Sequence, residues 1–411
     1  MKNIGIKISL FLNYFVFAIL LNSVGAVILQ VQRNFDITKS DASILEGFKD
    51  LPIAITSFIV ASFLPRLGIK KGMLIGLFSV AILCFMLPLV DADFWYFKIL
   101  FLVIGVSFAI VKVSVFSVIG LISDGPKEHS SLMSWIEGFF MVGVLFGNVF
   151  FSWFIDDNNP KSESWLQVYW WLGALSILAA VLLFFTKLDE REAVKEGSNL
   201  GEDISSMFSL MIKPLILVFV LSVFLYVLIE QSFQTWMPTF YQEVLSLPTS
   251  MSIQAGAILA GAFATGRIIA GFVLIKMKWF PFSVFCLVAL ALCVFVMIPM
   301  TQGIEIGADI SWWNAPLVVY IFPIMGIFLS PIYPTINSTV LSTLPKYMHS
   351  SMAGLIVVFS ALGGTTGSII TGHVFEHFDG RTAFYLSLVP IGLSIISLFI
   401  FYRLQIKKIP S

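Results

Sequence analysis

His129-Ser130-Ser131-Leu132 opens an apolar stretch carrying Phe139, Gly143 and Gly147, and His349-Ser350-Ser351-Met352 opens another with Phe359, Gly363 and Gly367 at the same offsets. The segments just before them also end alike, in Pro126-Lys127 and Pro345-Lys346. The chain therefore reads as a duplicated half. Working outward, each copy sits in the fifth of six apolar runs, which makes the repeat one of whole helical bundles rather than of a short motif.

Of the 411 residues, 58% are hydrophobic, 15% aromatic and only 12% charged, too little polar surface for a soluble domain of this size. Apolar runs of about 20 residues read as membrane spans. They fall at 8–29, 42–64, 71–89, 94–122, 132–154 and 165–185, then at 215–241, 253–276, 281–301, 314–342, 350–374 and 382–402. The expected fold is an all-α membrane protein of twelve spans in two pseudo-symmetric six-helix bundles, residues 1–185 and 215–411, joined by a central loop, 186–214. Lys2 and Lys7 before the first run match the front of a signal peptide, but losing that run would leave eleven spans and break the symmetry, so it is read as a span.

Basic residues set the orientation, because they concentrate on the cytoplasmic side. With the N-terminus inside, that side holds Lys2, Lys7, Arg66, Lys70, Lys71, Lys127, Lys187, Arg191, Lys195, Lys213, Lys276, Lys278, Lys346, Arg403, Lys407 and Lys408, while the outer loops hold only Arg33, Lys39, Lys161 and Arg381. Both termini are expected in the cytoplasm of a bacterial cell, with the chain in its inner membrane. Trp95, Trp312 and Trp313 would anchor the outer headgroup level. Cys84, Cys286 and Cys293 fall inside spans and read as small apolar packing residues, with no metal-ligand spacing. The central loop carries Asp189-Glu190-Arg191-Glu192 and reads as a plain linker, with an amphipathic surface helix or a flexible tether between the halves as the alternatives.

Two six-helix halves, a basic loop after the second span and a cytoplasmic central loop resemble the major facilitator superfamily. The loop pattern of that superfamily is kept in part, as Arg66, Gly68 and Lys70, with Pro65 where it has Asp and Ile69 where it has Arg. A weaker second-half counterpart is Gly266-Arg267 with Gly271. Tyr333-Pro334-Thr335-Ile336 with Ser338, followed by Ser350-Ser351, is similar to the fucose permease branch, the fucose, galactose or glucose:proton symporters. That resemblance implies a proton-coupled sugar carrier working by alternating access. Two acids that the branch uses for sugar and proton are replaced by Gly25 and Lys112, and an acid enters the fifth span as Glu137 where the relative has Gln. Fucose itself is therefore not the expected solute.

Ionisable side chains inside spans cost about 2.5–3.5 kcal/mol each at a helix centre unless paired or wet. They are Glu46, Lys49, Asp50, Lys112, Glu137, Glu230 and Arg267. Glu46, Lys49 and Asp50 share one helix face at i, i+3 and i+4. Asp50 lies about 13 Å deep from one side and Lys112 about 15 Å from the other, near the midplane where carriers bind. Lys112 with Asp50 or Glu46 either borders a cavity or forms a salt bridge that holds helices together. Lys49 joins them as a gating cation. Glu137 and Arg267 lie near the inner ends of their spans; Glu137 is either a proton-coupling carboxylate that exchanges partners or half of a fixed ion pair.

Amides and indoles suit a polyhydroxylated ligand, which needs neutral donors and acceptors and an aromatic face. Asn22, Glu230, Gln231, Gln234, Trp236, Tyr333 and Asn337 supply such groups. Each amide alone reads equally as an interhelical contact. Neither a catalytic set nor a phosphate-binding loop is present, so an enzyme and an ATP-driven pump are both disfavoured. The expected partners are a small hydrophilic solute, protons and the lipid bilayer, without nucleic acid, for a monomer that needs no cofactor or metal. A proton-driven efflux antiporter and a non-transporting membrane sensor remain as alternatives.

Overall fold

The computed structural model describes residues 4–90, 93–122, 126–188, 190, 211–303, 310–342 and 349–407, and among them every regular element is helical. In the first half these are α1 (Ile4–Asn22), α2 (Val24–Phe35), α3 (Lys39–Leu67), α4 (Ile69–Met86), α5 (Phe94–Ile122), α6 (Pro126–Ser152) and α7 (Val168–Phe185). In the second they are α8 (Pro214–Val244), α9 (Thr249–Val273), α10 (Trp279–Met300), α11 (Val318–Ile324), α12 (Gly326–Leu329), α13 (Ile332–Ser342), α14 (His349–His377), α15 (Gly380–Leu386) and α16 (Leu388–Lys407). Among the described residues ten helical runs are long and apolar enough to cross a membrane. Of the other two expected spans, α3 is 29 residues long but carries Glu46, Lys49 and Asp50 in one stretch, and the apolar run of α6, Gly138–Ser152, is shorter. The fold is that of a multi-pass helical membrane protein.

Two spans are broken where their chemistry competes with the helix. The first divides at Ser23, where Asn22 Nδ2 donates to the Ala18 carbonyl at 2.9 Å and Ser23 Oγ to the Leu20 carbonyl at 2.8 Å, local bonds that bend a helix. The tenth divides into α11, α12 and α13, with Pro323 and Pro331 at or beside the breaks, since proline removes an amide donor and clashes with the preceding turn. Helices α3 and α8 run on through Pro52 and Pro238.

The chain forms two compact units, one of Met1–Ile37 and Phe48–Leu200, the other of Thr38–Gly47 and Gly201–Ser411. The N-terminal segment of α3 thus belongs with the second unit. In the first, α1 packs on α6 and α7, and α4 on α5 and α7. A β-carbon at Gly105 of α5 would collide with the Lys49 carbonyl, so α3 and α5 touch backbone to backbone there. In the second unit α8 is the central post, with α14 and α16 both packed on it. A β-carbon at Gly363 or Gly367 would meet the carbonyl oxygens of Phe224 and Leu228, which is how α14 comes so close, whereas Gly261 and Gly271 of α9 face open space. Gly266 of the same helix does meet a neighbour, at the Ile327 backbone. Phe233, Phe240, Phe322 and Phe384 interlock with centroids 4.7–5.5 Å apart at the heart of this unit.

Candidate functional site

Helix α8 carries polar side chains on one face. Tyr226 Oη donates to Glu230 Oε1 at 3.0 Å, and the Tyr226 ring stacks on Tyr333 of α13 at 5.5 Å. Tyr333 Oη in turn shares a hydrogen with Ser360 Oγ of α14 at 3.3 Å, and Asn337, one turn along α13, hydrogen-bonds the same phenol. Arg267 of α9 acts electrostatically on Glu230. Asn337 Oδ1 is buried with no hydrogen-bond partner among the described residues. Glu230, Gln231, Gln234, Tyr333 and Asn337 are all half-buried and Arg267 is exposed, so the cluster combines one carboxylate, one guanidinium, two phenols and amides that are partly open. Arg267, expected from sequence at the depth of Glu137, acts on Glu230; the Glu137 side chain lies outside the described residues.

The next residue of α8 looks to a different partner. Gln231 Nε2 donates to Glu46 Oε1 at 2.5 Å and Thr235 Oγ1 to Glu46 Oε2 at 3.0 Å, and Glu46 is fully buried. The N-terminal segment of α3 is fastened at several more points within this unit. Lys39 pairs with Glu243 at 2.9 Å, the Ser40 amide donates to Glu376 at 2.7 Å, and Ser368 Oγ donates to the Ser43 carbonyl at 3.4 Å. Trp236, also fully buried, bonds through its indole N–H to the Ser368 carbonyl at 3.1 Å and stacks on Phe375 at 5.2 Å. Its surface is thus taken up by α14. Gln234 sits one turn along from Glu230 on the half-buried face.

In the first unit Lys49 is buried and lies 3.6 Å from Asp50, its neighbour in sequence. Lys112 is half-buried and has its ammonium 5.7 Å from the centre of the Phe108 ring and 6.0 Å from that of Phe116, a cation–π setting one turn to either side. The structure does not bring Lys112 into an ion pair with Asp50 among the described contacts. Asn22 satisfies its amide on its own helix at the Ser23 break.

One contact escaped the sequence. Glu190, in the central loop, accepts from the amides of Ile69 at 2.9 Å and Lys70 at 2.8 Å, and so closes the free N-terminus of α4 with a negative charge. Lys70 Nζ reaches back to the carbonyls of Phe184 at 2.8 Å and Thr186 at 2.7 Å. Gly68, at φ 97°, supplies the turn that presents those amides. The superfamily pattern has an acid at position 65, where this chain has proline; here the acid follows the end of α7, which packs on α4. The Arg66 side chain lies outside the described residues.

Helices of this number, length and apolar character, with carboxylates and amides buried among them, define a polytopic membrane protein. Residues 9–368 match the Major Facilitator Superfamily, and the chain belongs to that family of membrane transporters. Among curated proteins it is similar to the protein TsgA homolog of Buchnera aphidicola subsp. Baizongia pistaciae, 22% identical over 98% of this chain and 97% of that one. It is also similar to the TsgA homolog of Buchnera aphidicola subsp. Acyrthosiphon pisum, 23% identical over 91% and 90%. Among solved structures its fold is similar to a D-xylose-proton symporter, TM-score 0.74, 14% identity, 98% of each chain covered. The nucleoside transporter NupG gives TM-score 0.74, 15% identity and coverage of 97% and 99%, and an occupied, inward-facing bacterial homolog of the human lysosomal transporter Spinster gives 0.73, 15%, 99% and 98%.

Proposed function

We propose that this transporter is a proton-coupled symporter of a small hydrophilic solute, a sugar or sugar derivative with room for an acidic group. The observation that carries this reading is the half-buried face of α8 and α13, where Glu230, Tyr226, Tyr333, Asn337 and Gln234 gather with Arg267 nearby. Phenol rings stack on sugar faces, amides match hydroxyls, and the unpartnered Asn337 Oδ1 is an acceptor waiting for a donor. Arg267 is the group that would meet an acid on the solute; Lys112 is the alternative on the first unit. The Tyr333-Pro334-Thr335-Ile336 pattern supports descent alongside the fucose permease branch, and the structural similarity to a D-xylose-proton symporter and a nucleoside transporter, carriers of a sugar and of sugar conjugates, points the same way.

Glu46 and Glu230 are the described carboxylates able to carry the coupled proton, with Glu137 a third on sequence grounds. Lys49 and Arg267 are the cations that would compete for them. Within the second unit the proposed solute groups are Glu230, Gln234, Tyr333 and Asn337, and the proposed coupling or gating groups are Arg267 and Glu46, the latter moved from the solute set by its hydrogen bonds to Gln231 and Thr235. The test is uptake into proteoliposomes under an imposed pH gradient against a panel of neutral, acidic and amino sugars. Glu230→Gln should abolish accumulation while leaving solute exchange. Accumulation undiminished in Glu46→Gln, Glu137→Gln and Glu230→Gln alike overturns the coupling.

A further inference from the structure

On the side of α8 opposite Glu230 and Gln231, a crevice of about 420 Å³ runs between α14 and α16 with α8 as its floor. Both walls pack on α8, and α15 joins them at one end, where Phe384 meets Phe233 at 5.4 Å and Phe375 at 5.8 Å and shuts the crevice. Phe224, Leu225, Leu228, Ile229, Ser232 and Phe233 make the floor. The rim is Ile370 on α14 with Leu386, Val389 and Leu393, all 45% exposed or more. Of the hydroxyls in the wall, which include Thr366 and Thr371, Ser232 donates to the Leu228 carbonyl at 2.6 Å and Ser387 to the Phe384 carbonyl at 2.5 Å, so neither serine has a hydrogen left to give a guest.

Position decides the occupant. The floor is the middle three turns of a 31-residue helix about 46 Å long, which puts it within a hydrocarbon layer about 30 Å thick. A void there forfeits dispersion contacts on all its walls, and apolar cavities left dry take up apolar guests. Bilayer tails surround the rim at that depth. We infer that the crevice is a binding site for one acyl chain of a membrane phospholipid, which enters sideways between α14 and α16 and braces α8 from behind the polar face. An annular lipid would touch only the rim; a bound chain reaches the floor.

The test is photolabelling of the full chain in bilayers with a phospholipid carrying a diazirine at mid-chain, followed by peptide mapping. Adducts on residues 224–233 should saturate and be competed by unlabelled phospholipid, while adducts at Leu386, Val389 and Leu393 rise in proportion to probe. Leu228→Trp, which fills the crevice, should lose the saturable adduct and keep the rim adducts. Labelling confined to the rim, or floor labelling that never saturates, overturns the site; the wild-type titration alone decides this should the variant fail to fold. Competition by free fatty acid but not by phospholipid overturns the assignment to a phospholipid chain.

Discussion

Glu46 accepts hydrogen bonds from both Gln231 and Thr235 inside a fully buried setting, so each donor is committed to a charged or chargeable acceptor. Thr235→Val keeps the shape and removes one such bond, and should cost about 1.5–3 kcal/mol, read as a lower midpoint in a thermal-shift assay of purified protein. A midpoint unchanged from wild type would mean that this contact adds nothing. Asp379 caps α15 by accepting from the Thr382 amide, and that hydrogen bond holds its carboxyl below the ordinary aspartate value. Because the folded value is the lower one, its contribution is complete above the ordinary value and disappears as pH falls through the depressed one. Asp379→Ala should therefore lower stability by about 1 kcal/mol at neutral pH and by less at strongly acid pH, a difference that melts at two pH values would show.

At the scale of helices, Glu190 and the glycines of α14 make the sharpest predictions. Glu190→Ala strips the cap from α4 and should cost about 0.5–2 kcal/mol, with proteolysis of the central loop as the independent readout. Gly367→Leu would drive a side chain into the Leu228 carbonyl and should cost about 1–3 kcal/mol or abolish the folded protein, visible as lost monodispersity. Helix existence was legible in the sequence because apolar runs of the required length are a strong signal. The breaks were less so: proline announced the division at Pro331, but Ser23 gave no warning, since a serine that bonds back to its own helix looks like any other. Likewise Glu230 and Tyr333 could be nominated by residue type and depth, yet nothing in the order of residues tells that Gln231 turns to Glu46 while its neighbour Glu230 turns to Arg267 and Tyr226. Those pairings are fixed by helix rotation and crossing, which a single sequence does not encode locally. Lys112 was matched to Asp50 by depth alone, a coordinate blind to direction around the axis.

For the molecule as a whole, the asymmetry of Lys and Arg predicts both termini in the cytoplasm. A reporter that fluoresces only in the cytoplasm should be bright when fused after Ser411, and an alkaline phosphatase fusion there inactive; the reverse outcome would invert every depth assigned above. The duplicated His-Ser-Ser openings told of two halves, but not that the unit built on the second half also includes Thr38–Gly47. That ten-residue loan has a practical consequence. A gene fragment encoding only residues 201–411 would make a bundle missing its plug, with Gln231, Thr235, Glu243 and Glu376 robbed of their mates and bared to lipid or detergent. Such a fragment should aggregate unless a synthetic peptide copying residues 38–47 is supplied alongside it.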